Sequence, residues 1–269
     1  MHVNVHPSGR FAAFANPGLP TDPDPATGHV TVIELGANGA PGKLCASVKF
    51  EGRLPVWRHR PKPYPHSVFA DPGWKRLFSC FLMLDRVLIY RFDEKTGALT
   101  PSEQPYAQTS SGAGPRHIAF HPSGRFFYTI NEFDATVSAF GYDTASGAVA
   151  IVQTISIQPA NFEGTKSGAH VMVGPGGRFL YCSNRSHKSI AIFAIDQKTG
   201  ELTLVGHRKT LGDRPRDFNF DPSGRFLLVA NQHGNTIVSF HVDAGTGDLR
   251  STGHSVESFS ANCIVFGAA

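Results

Sequence analysis

Short runs of alternating apolar and polar residues recur along the chain in pairs, each pair split by a turn rich in proline and glycine. Five such segments align: 2–16 HVNVHPSGRFAAFAN, 67–81 SVFADPGWKRLFSCF, 117–131 HIAFHPSGRFFYTIN, 170–184 HVMVGPGGRFLYCSN and 217–231 DFNFDPSGRFLLVAN. A period of two predicts strands, and the Pro-Ser-Gly or Pro-Gly-Gly interruptions predict hairpin turns. The aligned prolines are Pro7, Pro72, Pro122, Pro175 and Pro222, at spacings of 65, 50, 53 and 47. Each unit continues into a third alternating run that usually ends in a turn, as in 87–100 VLIYRFDEKTGALT, 137–150 VSAFGYDTASGAVA, 190–203 IAIFAIDQKTGELT and 237–250 IVSFHVDAGTGDLR. A fourth, weaker run follows before the next unit. Four strands at a period of about 50 residues define the blade of a propeller.

The predicted fold is therefore all-β: a β-propeller of four-stranded antiparallel blades, with five blades and one C-terminal strand visible. It reads as a single β-propeller domain, with blades at roughly 1–60, 61–110, 111–163, 164–210 and 211–258 and a closing strand at 259–269, its apolar part at 260–266. Two insertions lengthen the first spacing, one proline-rich at 17–27 and one basic at 53–63. Composition supports many short strands over long helices, because the 28 Gly and 19 Pro of the 269 residues are spread along the chain.

The net charge of +4 comes from dispersed Lys and Arg, with no tract resembling a nucleic-acid arm, so a small anionic ligand is the expected partner and nucleic acid is not. No apolar run approaches the roughly 20 residues of a membrane-spanning helix, and the N-terminal residues lack the charged and apolar regions of a secretory signal. A cytoplasmic protein with no membrane association is expected. Cys45, Cys80, Cys182 and Cys263 are far apart, as free thiols are, and neither disulfides nor a zinc cluster is expected.

If the hairpin turn has two residues, Arg116 faces Asn131, His66 faces Phe81, Ala169 faces Asn184 and Arg216 faces Asn231. All these pairs lie at the end of the hairpin away from the turn. The first strand of a blade lines the central channel, so His66, Arg116, Glu132 and Arg216 are expected to meet at one mouth as a site for an anionic substrate. Asn16, Asn131, Asn184 and Asn231 recur at one position, which favours a structural turn role over a calcium site. His2, His6, His117, His121 and His170 lack metal-ligand spacing and read as satisfied strand histidines. Arg10, Arg125, Arg178 and Arg225, just after the turns, read as solvated or structural.

The segments Gly114-Pro115-Arg116-His117 with Asn131-Glu132, Arg178-Phe179-Leu180-Tyr181 with Ser183-Asn184-Arg185, and Pro215-Arg216-Asp217-Phe218 with Ala230-Asn231-Gln232 resemble the seven-bladed propeller lactonases of the 6-phosphogluconolactonase type. The fungal carboxymuconate-lactonizing enzymes are related to that family. Pro65-His66-Ser67-Val68 before Asp85-Arg86-Val87 is a fourth matching segment, and the likeness runs from about His2 to Phe266. The resemblance implies that His66, Arg116, Glu132 and Arg216 are the catalytic residues. Arg116, Arg216, Arg185, His170 and Asn131 are the expected substrate-binding residues. The chain departs from the family pattern at His170, where an acidic residue is usual, and at Phe81, where Asp or a small residue is usual. The family also has two blades ahead of the counterpart of His2, so self-association to cover an open ring is one arrangement the blade count allows.

The implied activity is hydrolysis of a phosphorylated sugar lactone, 6-phosphogluconolactone to 6-phosphogluconate in the pentose phosphate pathway. It requires a proton acceptor for water and positive donors for the developing oxyanion. His66 suits the base, with Glu132 orienting it or acting in its place, and Arg116 and Arg216 suit the phosphate and the oxyanion. No cofactor or metal is required. Two other readings stand beside it: a carboxymuconate-type lactone cycloisomerase using the same groups, and a non-catalytic propeller scaffold or inactive fragment.

Overall fold

In a computed structural model, residues 2–16, 28–49 and 64–267 are described; the two insertions expected at 17–27 and 53–63 lie outside the described residues. Among the described residues there are five four-stranded antiparallel sheets, each in chain order. The first holds β1 to β4 (His2–Val5, Phe11–Asn16, His29–Leu35, Pro41–Lys49), and the second β5 to β8 (Pro65–Ala70, Arg76–Phe81, Arg86–Phe92, Leu99–Gln108). The third holds β9 to β12 (Pro115–Phe120, Phe126–Asn131, Thr136–Tyr142, Val149–Ser156), and the fourth β13 to β16 (Gly168–Val173, Phe179–Asn184, Ser189–Ile195, Leu202–Lys209). The fifth holds β17 to β20 (Pro215–Phe220, Phe226–Asn231, Thr236–Val242, Leu249–Glu257). Each blade is the four-strand repeat that the alternation predicts.

Packing gathers these sheets into two compact units, one of 1–117 with 142–150 and one of 118–141 with 151–269. The core of the first unit holds Phe11, Val32, Val68, Leu77, Phe81 and Tyr90. The second unit has one core around Tyr128, Ile130, Val171, Leu180 and Phe193 and another around Tyr181, Ile192, Phe218, Leu227 and Val229. Burial grades across a blade: every residue of β6 and β10 is buried, whereas β8 and β20 are mostly exposed. That gradient explains why the fourth run of each repeat is the weakest in the sequence, since a strand that is largely in water needs little apolar patterning.

The first hairpin of a blade closes through four residues rather than two. In the fifth blade the Asp221 amide donates to the Phe226 carbonyl (2.9 Å) and the Gly224 amide to the Asp221 carbonyl (2.8 Å), a type I turn with Pro222 at its second position. An even loop keeps the parity of a two-residue turn, so the body of the hairpin has the predicted register, with Phe220 opposite Leu227 and Asp217 opposite Ala230.

The arginines after these turns are structural in a specific way. Arg125 donates to the Gln197 carbonyl (2.6 Å), Arg178 to the Ala244 carbonyl, and Arg76 to the carbonyls of Thr144 (2.9 Å) and Ala145 (3.3 Å). Each acceptor lies in the Asp-x-x-x-Gly turn of the next sheet. The glycine of that turn is seated against the preceding sheet: a Cβ on Gly200, whose φ is +77°, would come within 2.5 Å of the Phe126 ring. Both the left-handed backbone and the closeness of Phe126 exclude larger residues there.

Of the expected closing strand, the described residues 259–267 belong to no sheet. Instead the Ile264 amide donates to Asp217 Oδ2 (2.8 Å) and Asn219 Nδ2 donates to the Ile264 carbonyl (3.0 Å). Side chains of β17 thus take the place of a backbone ladder.

Candidate active site

At the end of the hairpins away from the turns, the register shifts. In the second blade Ser67 pairs with Cys80, but the next pair is Pro65 with Phe81, which leaves His66 as an extra residue. In the fifth blade Asp217 pairs with Ala230 and Pro215 with Asn231, leaving Arg216 extra. In the fourth, the same shift lies between Gly168 and Val171 and takes in His170. The predicted pairs of His66 with Phe81, Ala169 with Asn184 and Arg216 with Asn231 are therefore displaced by one. The cause is a β-bulge in the strand, which re-aims the side chain it carries. In the first blade the described part of the strand, from His2 opposite Ala15 to Val5 opposite Ala12, has an unbroken register.

In the first unit, serines fix the strands around His66. Ser79 Oγ donates to the Ser67 carbonyl (2.9 Å), and Ser67 Oγ donates to the Arg116 carbonyl (2.6 Å), both hydroxyls fully buried. Buried hydroxyls with partners of this kind hold backbone positions firmly, because losing the bond leaves a desolvated polar group. The His66 ring lies 5.1 Å from that of His117 and 6.1 Å from that of Tyr64. Arg116 is 2% exposed, and its Nη1 lies 3.3 Å from His117 Nε2.

The segment leading into Arg116 hangs on a residue whose role the sequence does not announce. Asp85 is 4% exposed, and its two carboxylate oxygens accept the amides of Gly112 (2.8 Å) and Gly114 (2.9 Å). Its carbonyl accepts Thr109 Oγ1 (2.9 Å) and Gln108 Nε2 (2.9 Å). The Asp-Arg-Val and Gly-Pro-Arg-His segments that match the lactonase pattern are thus physically joined.

In the second unit, Glu132 Oε1 lies 2.9 Å from Arg185 Nη2, which also donates to the Gly168 carbonyl (3.0 Å). The Arg185 side chain is 4% exposed against 24% for Glu132, so the carboxylate is the more accessible partner. Gly168 allows this closeness: its amide donates to the Glu132 carbonyl (3.1 Å), and a Cβ on it would overlap the Asn131 carbonyl oxygen. Asn131 is fully buried, with Nδ2 donating to Thr136 Oγ1 (2.8 Å) and Ser138 Oγ (3.0 Å), the turn role expected of the asparagine column. His170 Nδ1 lies 3.4 Å from Asp217 Oδ1, and its bulged amide takes Ser183 Oγ as acceptor (2.9 Å). Arg216 is half-buried on its bulge. Of the residues expected to bind substrate, Arg185, His170 and Asn131 are thus engaged by named protein groups.

Two further histidines of the column have local partners. His121 bonds to Ser123 Oγ (2.8 Å) and the Gly177 carbonyl (2.9 Å), and His6 to Ser8 Oγ (2.7 Å). Among the described residues, no three His, Cys, Asp or Glu side chains gather as metal ligands, and no helix is long and apolar enough to cross a membrane.

Repeated four-stranded blades with bulged, polar residues at one end define a β-propeller of the lactonase class. The chain belongs to the lactonase, seven-bladed β-propeller family, whose model matches residues 1–266. It is 40% identical to the 6-phosphogluconolactonase of Serratia proteamaculans over 157 residues, which are 58% of this chain and 47% of that protein. It is 33% identical to the 6-phosphogluconolactonase of Bacillus subtilis over 220 residues, 82% of this chain and 59% of that one. The periplasmic gluconolactonase PpgL of Pseudomonas aeruginosa superposes with a TM-score of 0.89 at 29% identity, covering 100% of this chain and 73% of that one. The chain spans about half the length of the curated relatives it matches.

Proposed function

We propose that this protein is a lactonase that hydrolyses a phosphorylated sugar lactone, 6-phosphogluconolactone to 6-phosphogluconate. One observation carries the assignment of residues: His66 and Arg216, in different blades, both stand on a bulge at the same end of the first strand. A bulge costs ladder bonds, and its recurrence under polar residues is accounted for by side chains aimed at a ligand.

In this reading His66 takes the proton from the water that attacks the lactone carbonyl. The Arg116 and Arg216 guanidiniums hold the phosphate and the oxyanion of the tetrahedral intermediate. Collapse breaks the ring C–O bond; the leaving alkoxide takes a proton from the His66 imidazolium, and the carboxylic acid ionises. The bond from Arg185 to Glu132 favours His66 as the base, because one Glu132 carboxylate oxygen is already engaged by a guanidinium. The substrate is a small anion, in keeping with the net charge of +4. Cytoplasmic residence is part of the reading, supported by the free buried thiols of Cys80 and Cys182. So is self-association, supported by half-exposed Val3 and Val5 on β1, and sedimentation of the chain as a monomer at micromolar concentration would remove it.

The test is disappearance of 6-phosphogluconolactone above its spontaneous rate. His66→Gln should lower kcat by about 10²–10⁴-fold, the usual contribution of a general base. Arg116→Lys and Arg216→Lys keep the charge but lose the bidentate fork and should each lower kcat/KM by about 10²-fold or more. No catalysis by the wild-type chain, or wild-type rates in all three variants, would refute the reading.

A further inference from the structure

The lactonase reading leaves His117 without a role, and the contacts of that residue go beyond those of a strand histidine filling space. Neighbouring residues of a strand face opposite ways. Arg116 nonetheless brings Nη1 to 3.3 Å from Nε2 of its own neighbour, His117. A guanidinium has donors only, so the imidazole nitrogen is the acceptor. With Nε2 as the acceptor, the tautomer that this contact assigns to His117 carries its proton on Nδ1. Around it lie His66 at 5.1 Å, His2 at 5.6 Å and Phe69 at 5.9 Å between ring centroids. His117 therefore touches both the group proposed as the anion clamp and the ring proposed as the base, all within the first unit.

We propose that His117 is a positioning residue for the lactonase site, its Nε2 lone pair holding the Arg116 fork in the direction that meets an anionic substrate. The inference rests on the lactonase reading for its link to turnover, but not for its link to anion binding. Arg116 is almost fully buried, so its long side chain needs a fixed acceptor on one nitrogen if the others are to face a ligand. The rings of Phe69 and His2 pack edge-on against that of His117, at 5.9 and 5.6 Å between centroids, and restrict its rotation.

Two substitutions separate this role from packing. His117→Phe keeps a flat ring but has no lone pair, while His117→Gln keeps an acceptor at a reach similar to Nε2. We expect His117→Phe to raise KM for the lactone, and the inhibition constant for inorganic phosphate, by about tenfold, as loss of one hydrogen bond to a charged group does. The kcat should change by less than about threefold, and His117→Gln should recover most of the affinity. Thermal midpoints of both variants report folding separately. Wild-type KM and phosphate affinity in a folded His117→Phe variant would overturn the proposal, as would His117→Gln performing no better than His117→Phe. If the wild-type chain turns over no lactone, the lactonase reading fails, and phosphate titration by calorimetry still decides the present one. Tight binding by wild type lost in His117→Phe sustains it, and equal binding by the two overturns it.

Discussion

Asp85→Asn is the sharpest structural test of how the Arg116 strand is held. The native carboxylate is almost fully buried and accepts one amide on each oxygen, from Gly112 and Gly114. Asparagine keeps one acceptor and turns an NH₂ towards the other amide, so one bond becomes a contact between donors. A hydrogen bond to a charged acceptor contributes about 1.5–3 kcal/mol, and the orphaned Gly114 amide, which is buried with the carboxylate, cannot recover it from water. The expected loss is about 2–3 kcal/mol, chiefly in the ordering of residues 109–115. Hydrogen exchange reads this directly: protection of the Gly112 and Gly114 amides should fall by about 30- to 150-fold, as that free energy requires. The urea midpoint should fall, and KM for the lactone should rise because Arg116 follows this segment. Unchanged exchange at both amides would refute the account of Asp85 as the anchor, whatever happened to activity.

Three further outcomes follow from the packing. Gly168→Ala sets a methyl group onto the Asn131 carbonyl and should part Glu132 from Arg185, lowering stability by about 1–3 kcal/mol with a loss of activity, measured by denaturant unfolding and lactone turnover. Gly200→Ala combines a left-handed backbone with overlap on the Phe126 ring and should destabilise the second unit by a similar amount, checked by the thermal midpoint. Burial, aided by the charge of Lys209 and opposed at His207 by the bond to the Ile157 carbonyl, holds His187 and His207 below their ordinary 6.5, so the unfolded chain binds protons that the folded one refuses. Stability should therefore fall as pH drops below about 6.5, and a His187→Phe, His207→Phe double variant should show a shallower slope of urea midpoint against pH.

The blade architecture was legible because its signals are local and repeated. Alternation marks strands, a Pro-Ser-Gly turn fixes loop parity, and five copies remove ambiguity about either. The parity rule even survived a mistaken turn length, since four loop residues give the same partners as two. What was hidden depends on contacts distant in sequence. Nothing in Asp85 itself points to amides 27 and 29 residues further on. Arg185 and His170 look in sequence like groups facing a ligand; only their partners, Glu132 and Asp217, show that protein atoms already engage them. The C-terminal run 260–266 is apolar enough for a strand, but its composition does not show whether an edge is available to pair with it.

The bulges unite these cases. A strand of period two presents every second residue to one face, and no pattern of apolar and polar letters can show where an extra residue has been inserted, because the count is corrected within one step. His66 and Arg216 are each preceded by proline, at Pro65 and Pro215, and followed by a buried residue, Ser67 or Asp217. Those neighbours resume the ladder on either side of the extra residue. The polar residue is thereby released from alternation: it no longer has to face the core or the opposite surface of the sheet. Arg116 follows Pro115 in the same way, and the Ser67 hydroxyl bond to its carbonyl ties that strand to the bulged one. A proline directly followed by a polar residue at the start of the first strand marks the bulges at His66 and Arg216, whereas the bulge that takes in His170 follows Gly168-Ala169 and carries no such mark.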